Sequence, residues 1–576
     1  MIMEQIEKFK VLLANDGKYY EVPFLKKLAD FAGEVCPAVT DRKTGKKYPV
    51  LAALVDHKLK ELDFPLAMTH EIEFIGYNHP DGRRTYLRSL CFVLQNAVRE
   101  LFPDKVLIVD HSLPSGLYCE ICERKKLEDG SRQIVSLSDK DIDSLESVMR
   151  RIVAENLPFI KTKMEAEQAE DLFLADGQPD KAELHKSIGK FICSVYFLGG
   201  HADTFHGPLL PSTGYLTIFG LLPFGEGFCL QFPSCQDPET LIPVLCQSKI
   251  AAALGEHSDW CSNIKINGIG TLNRAITEGY AVKMINLAEA RHERKYAEVA
   301  DQIYRCKDRT RAVFIAGPSS SGKTSSSLRL ALQCRTLGMY PKVIELDNYF
   351  VDREKTPRDS DGNYDFEALE AMDLDLLNSQ LNDLFAGKEV ELPKYDFKTG
   401  KSVPSGNRIT LGEKEILIME GIHALDPAMV PDVDNSKIFR LFVSALTSLN
   451  VDENNNISTS DNRLLRRIVR DNRTRGITPE ETIMRWHSVR SGENRNIFPF
   501  QENADSVFNS ALIYEIPVLK YYAEPLLRRI PPFSPAYTEA IRLLKFLDYI
   551  VALSPEEIEA IPPTSIMREF IGKQTL

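Results

Sequence analysis

A chain of 576 residues is too long for one ordinary hydrophobic core, so its length predicts several domains. Hydrophobic residues make up 43% and charged residues 26%, which is the composition of a globular protein and excludes a mainly disordered chain. The net charge of -12 argues against broad, nonspecific binding of nucleic acid, although an acidic protein can still carry a local basic patch.

The N-terminus and the cysteines bear on the cellular compartment. Residues 1–15 mix acidic residues with lysines and lack the apolar core of a signal peptide, and no run of about 18 apolar residues occurs. The 11 cysteines have no framework spacing, which favours reduced thiols. Cys119 and Cys122 resemble half of a zinc site, but no second pair completes it. We therefore expect a cytoplasmic protein without membrane contact.

The first half of the chain is predicted to contain two mixed regions. Short apolar runs and turn residues fill residues 1–73, where residues 49–55 are the clearest strand of a small mixed domain. Residues 74–286 combine an amphipathic stretch at 87–102 with glycine- and proline-rich segments, which is typical of an α+β domain. Residues 273–305 predict a connecting helix, and we place a domain boundary near Leu287.

Residues 287–576 alternate apolar β-type runs with helical patterns. The predicted strands are residues 312–316, 342–346, 415–419 and 437–443. This alternation predicts an α/β fold with a parallel sheet wound by helices. Residues 538–572 have helical periodicity that is broken at Pro555 and again at Pro562 and Pro563.

A phosphate-binding loop is predicted between the first of these strands and a helix that begins near Thr324. The pattern G-x-x-x-x-G-K-[ST] is satisfied by Gly317, Pro318, Ser319, Ser320, Ser321, Gly322, Lys323 and Thr324. In such a loop the backbone N–H groups turn towards phosphate oxygens, and the helix N-terminus adds positive potential. We expect Lys323 to reach the β and γ phosphates and the Thr324 hydroxyl to bind magnesium; a plain serine-rich loop is the alternative.

Two carboxylates are predicted at the carboxyl edge of the same sheet. Asp347 follows the second strand and would lie beside the γ-phosphate, where it can accept a hydroxyl proton. Glu420 follows the third strand, where an acidic residue can hold magnesium directly or through water. Each has a plain alternative, since Asp347 could cap a turn and Glu420 could be an ordinary strand-end carboxylate.

Two further segments carry candidate ligands. One predicted helix has a strongly cationic face, formed by Arg463, Arg466, Arg467 and Arg470 and continued by Arg473 and Arg475. Beside a phosphate loop this face predicts a lid over the transferring phosphate, although a solvated helix shows the same pattern. Tyr395, Asp396 and Phe397 place a carboxylate between aromatic rings, which suits a polyhydroxylated acceptor and equally an ordinary buried turn.

In their order and spacing these segments resemble the uridine kinase and phosphoribulokinase family over residues 310–515. The matching motifs are residues 317–325, which add Ser325 to the loop, then 347–350 (DNYF), 395–397 (YDF), 418–422 (IMEGI) and 463–476 (RLLRRIVRDNRTRG). The resemblance implies a P-loop kinase fold that uses ATP and Mg²⁺, with Asp347 as the general base. It also implies contacts to ATP phosphates from Arg466, Arg470 and Arg475.

The acceptor side of the family pattern is matched less closely. Residues 365–373 resemble the family segment that binds ribose hydroxyls; Glu367 aligns without gaps, and Asp365 aligns if the register slips. Where pyrimidine nucleoside kinases carry a base-reading histidine and, two residues later, an arginine, this chain has Gly400 and Ser402. We therefore expect phosphoryl transfer with an altered base preference.

The N-terminal third resembles the front of threonyl-tRNA synthetase, with a small TGS-like domain in residues 1–73 and an editing-like α+β domain in residues 74–286. The clearest matches are residues 86–103 and 203–214. The polar side chains of active editing domains are replaced here by Arg88, Phe92, Phe205 and Leu209. We therefore expect a degenerate domain without editing or metal binding at those positions, and structural roles for His201 and His206.

Taken together, these features predict an ATP-dependent kinase that transfers the γ-phosphate to a hydroxyl of a nucleoside-like small molecule. A different class of protein stays open. In that hypothesis the chain is an RNA-associated regulator, ATP binding switches its conformation, and the synthetase-like front supplies the RNA surface.

Overall fold

The computed structural model describes residues 8–41, 44–113, 116–127, 132–234, 237–243, 248–358, 362, 364–396, 398–447 and 449–576. Its N-terminal elements are β1 (Lys8–Leu13), β2 (Lys18–Pro23), α1 (Leu28–Val35), β3 (Ala38–Thr40), β4 (Lys47–Pro49), β5 (Ala52–Val55), β6 (Lys58–Lys60) and β7 (Glu71–Ile75). They form a mixed sheet in the order β2-β1-β7-β5-β6. The predicted strand 49–55 is split, because β5 holds its fully buried second half while Pro49 ends β4.

The next region combines two antiparallel sheets with helices. Its elements are α2 (Pro80–Leu101), β8 (Lys105–Leu113), β9 (Gly116–Lys126), β10 (Arg132–Ile134), α3 (Asp139–Ala154), β11 (Ile160–Glu165), α4 (Ala166–Ala175), α5 (Pro179–Ile188), β12 (Ile192–Leu198), β13 (His201–Asp203), β14 (Gly220–Phe224) and β15 (Gly227–Gln231). The predicted amphipathic stretch becomes α2, which Pro80 opens in its first turn. Its buried face packs against β8 and α3, as its periodicity requires.

Three helices lead into the second half: α6 (Ser248–Asn263), α7 (Ile269–Thr277) and α8 (Ala281–Arg305). The prediction of a connecting helix is only partly right, because α8 belongs to the core of the second half. Tyr296 of α8 donates or accepts a hydrogen bond with Ser326 at 2.9 Å, and Glu293 of α8 accepts one from Arg329 at 2.7 Å. The boundary predicted near Leu287 therefore falls inside a helix, and the one at residue 73 falls inside β7.

The second half is built on a five-stranded parallel sheet in the order β17-β20-β16-β21-β22. Its elements are β16 (Ala312–Ala316), α9 (Lys323–Thr336), β17 (Tyr340–Glu345), α10 (Leu374–Phe385), β18 (Val390–Asp396), β19 (Lys401–Ile409), β20 (Glu415–Glu420), β21 (Ile438–Ser444), α11 (Thr459–Arg475), α12 (Pro479–Asn496) and β22 (Ser506–Asn509). The α/β prediction and its four strands are confirmed. Apolar cores cover both faces of the sheet, which is why these strands read as continuous apolar runs.

Four helices end the chain: α13 (Glu515–Leu527), α14 (Tyr537–Leu547), α15 (Pro555–Glu559) and α16 (Ile566–Ile571). The prolines act as predicted, because Pro555 opens α15 and Pro562 and Pro563 separate α15 from α16. Within the described ranges, no helix has the length and apolar character needed to cross a membrane.

The loop before α11 joins the two halves of the molecule. Val109 of β8 donates its N–H to the Glu453 carbonyl at 2.8 Å, and Asn454 Nδ2 donates to the Leu107 carbonyl at 3.0 Å. Asn450 Nδ2 donates to the Val109 carbonyl at 3.1 Å. The helix α11 is thus tied at its N-terminal end to a sheet of the preceding region.

Candidate active site

The predicted phosphate loop follows β16 and ends at the first turn of α9. Gly317 passes so close to β21 that a Cβ there would lie 2.0 Å from the Val443 carbonyl oxygen. Gly322 has a φ of +87°, which a residue with a side chain rarely adopts, and it precedes the first residue of α9. Both glycines are therefore required by the backbone path that turns the loop around the helix N-terminus.

The polar groups of the loop fit an anion. Lys323 Nζ donates to the Gly317 carbonyl at 2.9 Å, so its ammonium group lies over the loop. The hydroxyl oxygens of Ser320 and Ser321 are buried and have no hydrogen-bond partner among the described residues. A phosphate group, with several acceptor oxygens, is the kind of ligand that such donors and the N-terminus of α9 can bind.

A cavity of about 540 Å³ opens above the loop. The predicted residues that line it are Ser319, Ser320, Ser321, Gly322, Lys323, Thr324, Asp347, Glu367, Tyr395, Glu420, Arg467, Arg470 and Arg475. Those outside its lining are Gly317, Pro318, Ser325, Asp365, Asp396, Arg463, Arg466 and Arg473; Phe397 lies outside the described residues. The sheet edge, the loop and the predicted lid therefore meet around one space.

The two predicted carboxylates both reach this cavity. Asp347 lies in a short helical turn directly after β17, and burial raises the pKa of its carboxyl above the usual range although nearby Lys323 opposes the shift. Glu420 ends β20, and its Oε1 accepts a hydrogen bond from Thr324 Oγ1 at 2.7 Å. Burial likewise raises the pKa of Glu420. The Thr324 and Glu420 oxygens lie close enough together to share a hard cation such as Mg²⁺.

The two residues predicted as candidates for the acceptor contact lie in different places. Glu367 lines the cavity, where burial and the neighbouring Glu493 raise its pKa to about 7. Asp365 instead pairs with Arg495 at 2.8 Å, outside the cavity. Tyr395 also lines the cavity, whereas Asp396 caps a turn by accepting hydrogen bonds from the Lys398 N–H and the Thr399 hydroxyl.

The arginine-rich helix is α11, and its arginines point in three directions, since Arg473 donates to the Phe570 carbonyl at 3.0 Å. Arg467, Arg470 and Arg475 line the cavity, and all three contact the buried carboxylate of Asp471, at 3.3, 2.9 and 3.6 Å. Asp471 is thus the residue that gathers these side chains beside the loop. Sequence reasoning overlooked it because one acidic residue in a basic helix carries no distinguishing pattern.

The expectation for Arg466 has to be corrected. Its guanidinium is fully buried, pairs with Glu515 at 2.5 Å and donates to the Ser320 carbonyl at 3.3 Å, so it braces the loop from behind. Arg463 lies on the same side, where it pairs with the buried Glu493. The helical offsets place Arg466 and Arg470 one turn apart, but the position of Glu515, 49 residues away, decides where Arg466 points.

Arg353 and Glu569 are among the cavity residues that were not predicted. Arg353 lines it and packs over Gly400, where a Cβ would lie 2.7 Å from Arg353 Nε. Glu569 enters from α16, and its Oε2 accepts a hydrogen bond from the Ser325 hydroxyl at 2.5 Å. Gln574 Nε2 donates to the same hydroxyl at 2.8 Å. These contacts join residues so far apart in the chain that local patterns could not indicate them.

The four substituted editing positions pack together in the second region. Phe92 and Phe205 are buried with ring centroids 5.5 Å apart, and Leu209 is buried in the same apolar core. Arg88 donates to the Pro208 carbonyl at 3.0 Å, which fixes it against the following turn. His206 is nearby, and burial lowers its pKa to about 3, so it is neutral at physiological pH.

Comparisons with known proteins find relatives of both the N-terminal region and the second half of the chain. The chain is similar to the threonine–tRNA ligase of Thermotoga neapolitana over its N-terminal region, with 29% identity over 188 residues. That match covers 32% of this chain and 28% of the ligase, so the chain spans little more than a quarter of such relatives. A solved structure titled as a possible uridine kinase from Bacillus stearothermophilus aligns with a TM-score of 0.26 and 20% identity, covering 37% of this chain and 98% of that one.

The second half of the chain matches a known family. Residues 312–516 match the family described as "Phosphoribulokinase / Uridine kinase family". The uridine kinase of Macrococcus caseolyticus is 32% identical over 200 residues, which cover 34% of this chain and 87% of that enzyme. Through these residues the chain belongs to the phosphoribulokinase and uridine kinase family.

Proposed function

We propose that the protein is an ATP-dependent kinase that transfers the γ-phosphate of ATP to a hydroxyl of a nucleoside-like small molecule. The observation that carries this proposal is the convergence of Lys323, Asp347, the Thr324–Glu420 pair and the α11 arginines on one cavity. Among the described residues that line it, six cationic side chains outnumber four carboxylates: Lys323, Arg353, Arg467, Arg470, Arg475 and Arg485 against Asp347, Glu367, Glu420 and Glu569. This balance suits a polyphosphate.

Each group has a distinct role in the proposed transfer. Lys323, the loop N–H groups and the arginines held by Asp471 would hold the phosphates and stabilise the charge that spreads over the transferring group. Thr324 and Glu420 would hold Mg²⁺, which neutralises phosphate charge when it is bound. Asp347 would accept the proton of the acceptor hydroxyl, and Glu367 and Tyr395 would position the acceptor.

A basic cluster supports the second candidate, an RNA-associated regulator. Lys60 of β6 has a pKa lowered by burial and then by the nearby Lys58, Lys161 and Lys163. Burial, and then Lys60 and Lys161, lower the pKa of Lys545. Such a cluster is the kind of surface to which a phosphate backbone binds. Salt-dependent RNA binding without acceptor-dependent ADP release would favour this candidate, and acceptor-dependent ADP release would favour the kinase.

Replacement of Lys323 tests the role of the loop. Lys323→Ala should abolish acceptor-dependent ADP release, because it removes the ammonium group that faces the phosphates. The melting temperature should stay within the wild-type range, since the hydrogen bonds of this side chain to described residues go to two loop carbonyls. Lys307→Ala is the matched control, because Lys307 is exposed and outside the cavity. Normal turnover in Lys323→Ala would rule out the loop as the phosphate site.

Replacement of Asp347 tests the proton acceptor. Asp347→Asn keeps the shape but removes the basic oxygen, so turnover should fall about 100- to 10,000-fold while the affinity for MgATP changes much less. Asp375→Asn, at an exposed position in the first turn of α10, is the control. If Asp347 only capped a turn, the variant would lose thermal stability and keep its turnover. If it held magnesium, MgATP affinity and metal dependence would fall with turnover.

The pH profile gives an independent measure of the same residue. A general base acts when it is deprotonated, so turnover should fall as the pH drops through the pKa of Asp347. Burial raises that pKa, and the acid limb of kcat/KM should therefore lie above the range of an ordinary aspartate. An acid limb at the position typical of exposed aspartates would contradict this assignment.

Gly400 and Arg353 generate a prediction about the acceptor. A histidine at position 400 would collide with Arg353, so the base-reading contact of pyrimidine nucleoside kinases cannot form here without a shift of that side chain. Acceptor selectivity should be broader than, or shifted from, uridine and cytidine. ADP release measured with nucleosides, pantothenate and sugar phosphates tests this, and a sharp preference for uridine and cytidine would contradict it.

The negative charge of Glu569 is expected to weaken the binding of MgATP in the wild-type protein, because this carboxylate lines a cavity that is proposed to hold phosphates. Glu569→Gln keeps a hydrogen-bonding side chain beside Ser325 and removes the negative charge, so the Kd for MgATP should fall by a factor of about 3 to 10. Glu559→Gln, an exposed change in the same C-terminal segment, should leave the Kd unchanged. Weaker MgATP binding in Glu569→Gln would show instead that the carboxylate supports the site.

A further inference from the structure

A second cavity of about 510 Å³ lies away from the phosphate loop, between the two halves of the molecule. One wall comes from strands β8, β9 and β10, and a second comes from α6 and the start of α7. The third wall is Asn450, Val451, Asp452 and Glu453, in the loop that leads into α11. This space is nearly as large as the proposed kinase cavity, and the kinase reaction does not use it.

The charges on its walls are predominantly negative. The described lining residues include seven carboxylates: Asp110, Glu120, Asp180, Glu226, Asp259, Asp452 and Glu453. Within that set of lining residues, Arg132 is the one Lys or Arg side chain, and it pairs with Glu453 and, at 3.8 Å, with Asp180. Asp452 lies 3.8 Å from the buried Lys181. The basic side chains at this cavity, Arg132 and Lys181, therefore lie beside Asp180, Asp452 and Glu453.

Asp110 and Glu120 form a separate acidic pair on neighbouring strands. The Cys122 thiol donates a long hydrogen bond to Glu120 Oε2 at 4.0 Å, and Glu120 forms no ion pair with another described residue. Burial, and then the neighbouring Asp110, raise the pKa of Glu120 to about 7. Asp110 contacts His111 Nδ1 at 2.7 Å. This pair can therefore stabilise a positive charge that enters the cavity.

A bulge in β8 turns both Asp110 and His111 towards the cavity. The register shifts between Val109, which pairs with Cys119, and His111, which pairs with Tyr118, so Asp110 has no partner residue on β9. Consecutive residues of a regular strand face opposite sides of a sheet, yet Asp110 and His111 both line the cavity. Bulges of this kind re-aim side chains and occur often beside functional sites.

Two buried polar atoms on the cavity wall are left without a partner. His111 is 5% exposed, and its Nε2 has no hydrogen-bond partner among the described residues. Asn450 is 6% exposed. Its Nδ2 donates a hydrogen bond to the Val109 carbonyl, and its Oδ1 has no hydrogen-bond partner among the described residues. Buried polar atoms are almost always paired, so these two indicate that a polar ligand belongs here.

Aromatic rings from β8, β9 and β14 also line the cavity. His111 and Tyr118 have ring centroids 5.0 Å apart, and Phe224 meets Tyr118 edge-on at 5.9 Å. All three line the cavity. Carboxylates beside aromatic rings bind organic cations, because the rings attract the charge and cover the apolar part of the ligand.

We infer that this cavity binds a small organic ammonium compound, with the charge held by Asp110 and Glu120 and the apolar body held by Tyr118 and Phe224. Because Asn450, Asp452 and Glu453 precede α11, which carries Arg467, Arg470 and Arg475, the bound compound also changes the affinity of the kinase cavity for MgATP. The effect on MgATP affinity rests on the proposed kinase function, whereas the binding of the ammonium compound does not.

Binding is tested by calorimetry on the full chain with tyramine, and with 4-ethylphenol, which has the same ring without the ammonium group. Tyramine should bind at one site per chain, and 4-ethylphenol should bind at least about tenfold more weakly. Glu120→Gln and Asp110→Asn should each weaken tyramine binding by about tenfold. Glu123→Gln, on the same strand and outside the cavity lining, should leave it unchanged.

The site assignment would be overturned if the wild-type chain did not bind tyramine, if 4-ethylphenol bound equally well, or if both acidic variants bound tyramine normally. Loss of tyramine binding in Lys323→Ala would also overturn it, because tyramine would then occupy the kinase cavity. The 4-ethylphenol comparison uses the unaltered protein, so it decides the matter even if a variant fails to fold.

Coupling is tested by the Kd for MgATP with and without saturating tyramine. A change of severalfold, matched by the reciprocal effect of MgATP on tyramine binding, is expected because coupling between two sites is mutual. An unchanged Kd for MgATP would overturn the coupling but not the assignment of the cavity as a ligand site. If MgATP did not bind at all, the proposed kinase function would fail, and tyramine binding would still decide whether the cavity is a ligand site.

Discussion

The buried carboxylate of Glu493 holds the phosphate loop to the rest of the second half. Its Oε1 accepts the Ser319 N–H at 2.9 Å, and both oxygens pair with Arg463 of α11. Burial alone would raise the pKa of Glu493, but Arg463 and Arg490 outweigh it and hold the pKa below the usual range. A charge this deeply buried is stable only while its partners remain in place, so the loop, α11 and α12 are fixed as one unit.

The cavity is consequently built from segments that are distant in the chain. Arg466 and Glu515 support the loop from behind, Asp471 gathers the cavity arginines, and Glu569 brings the C-terminal helix α16 against Ser325. The same helix α11 begins at the loop that hydrogen bonds to β8 in the preceding region. The synthetase-like part of the chain therefore contacts the loop that leads into α11, and any movement of α11 has to be accommodated by those contacts.

The sequence predicted the features that depend on neighbouring residues. Apolar runs located the four parallel strands, and the spacing of Gly317, Gly322 and Lys323 located the turn into α9, because backbone geometry and strand burial are local properties. The edge positions of Asp347 and Glu420 followed from parallel topology. Arg466, Arg353 and Glu569 could not be placed this way, since partners 49, 47 and 244 residues away determine their positions. The helix α8 was misjudged for the same reason, because its exposed-looking charges pair with α9.

The proposed kinase reaction passes phosphate from ATP to an acceptor hydroxyl in the cavity above the loop. Phosphorus NMR of the purified protein with MgATP and a mixture of nucleosides, pantothenate and sugar phosphates follows every phosphorus species at once. This reaction should give a new phosphomonoester signal that grows in step with ADP and is missing in Lys323→Ala. ATP that stays intact with every acceptor, or that yields only ADP and inorganic phosphate, would contradict it.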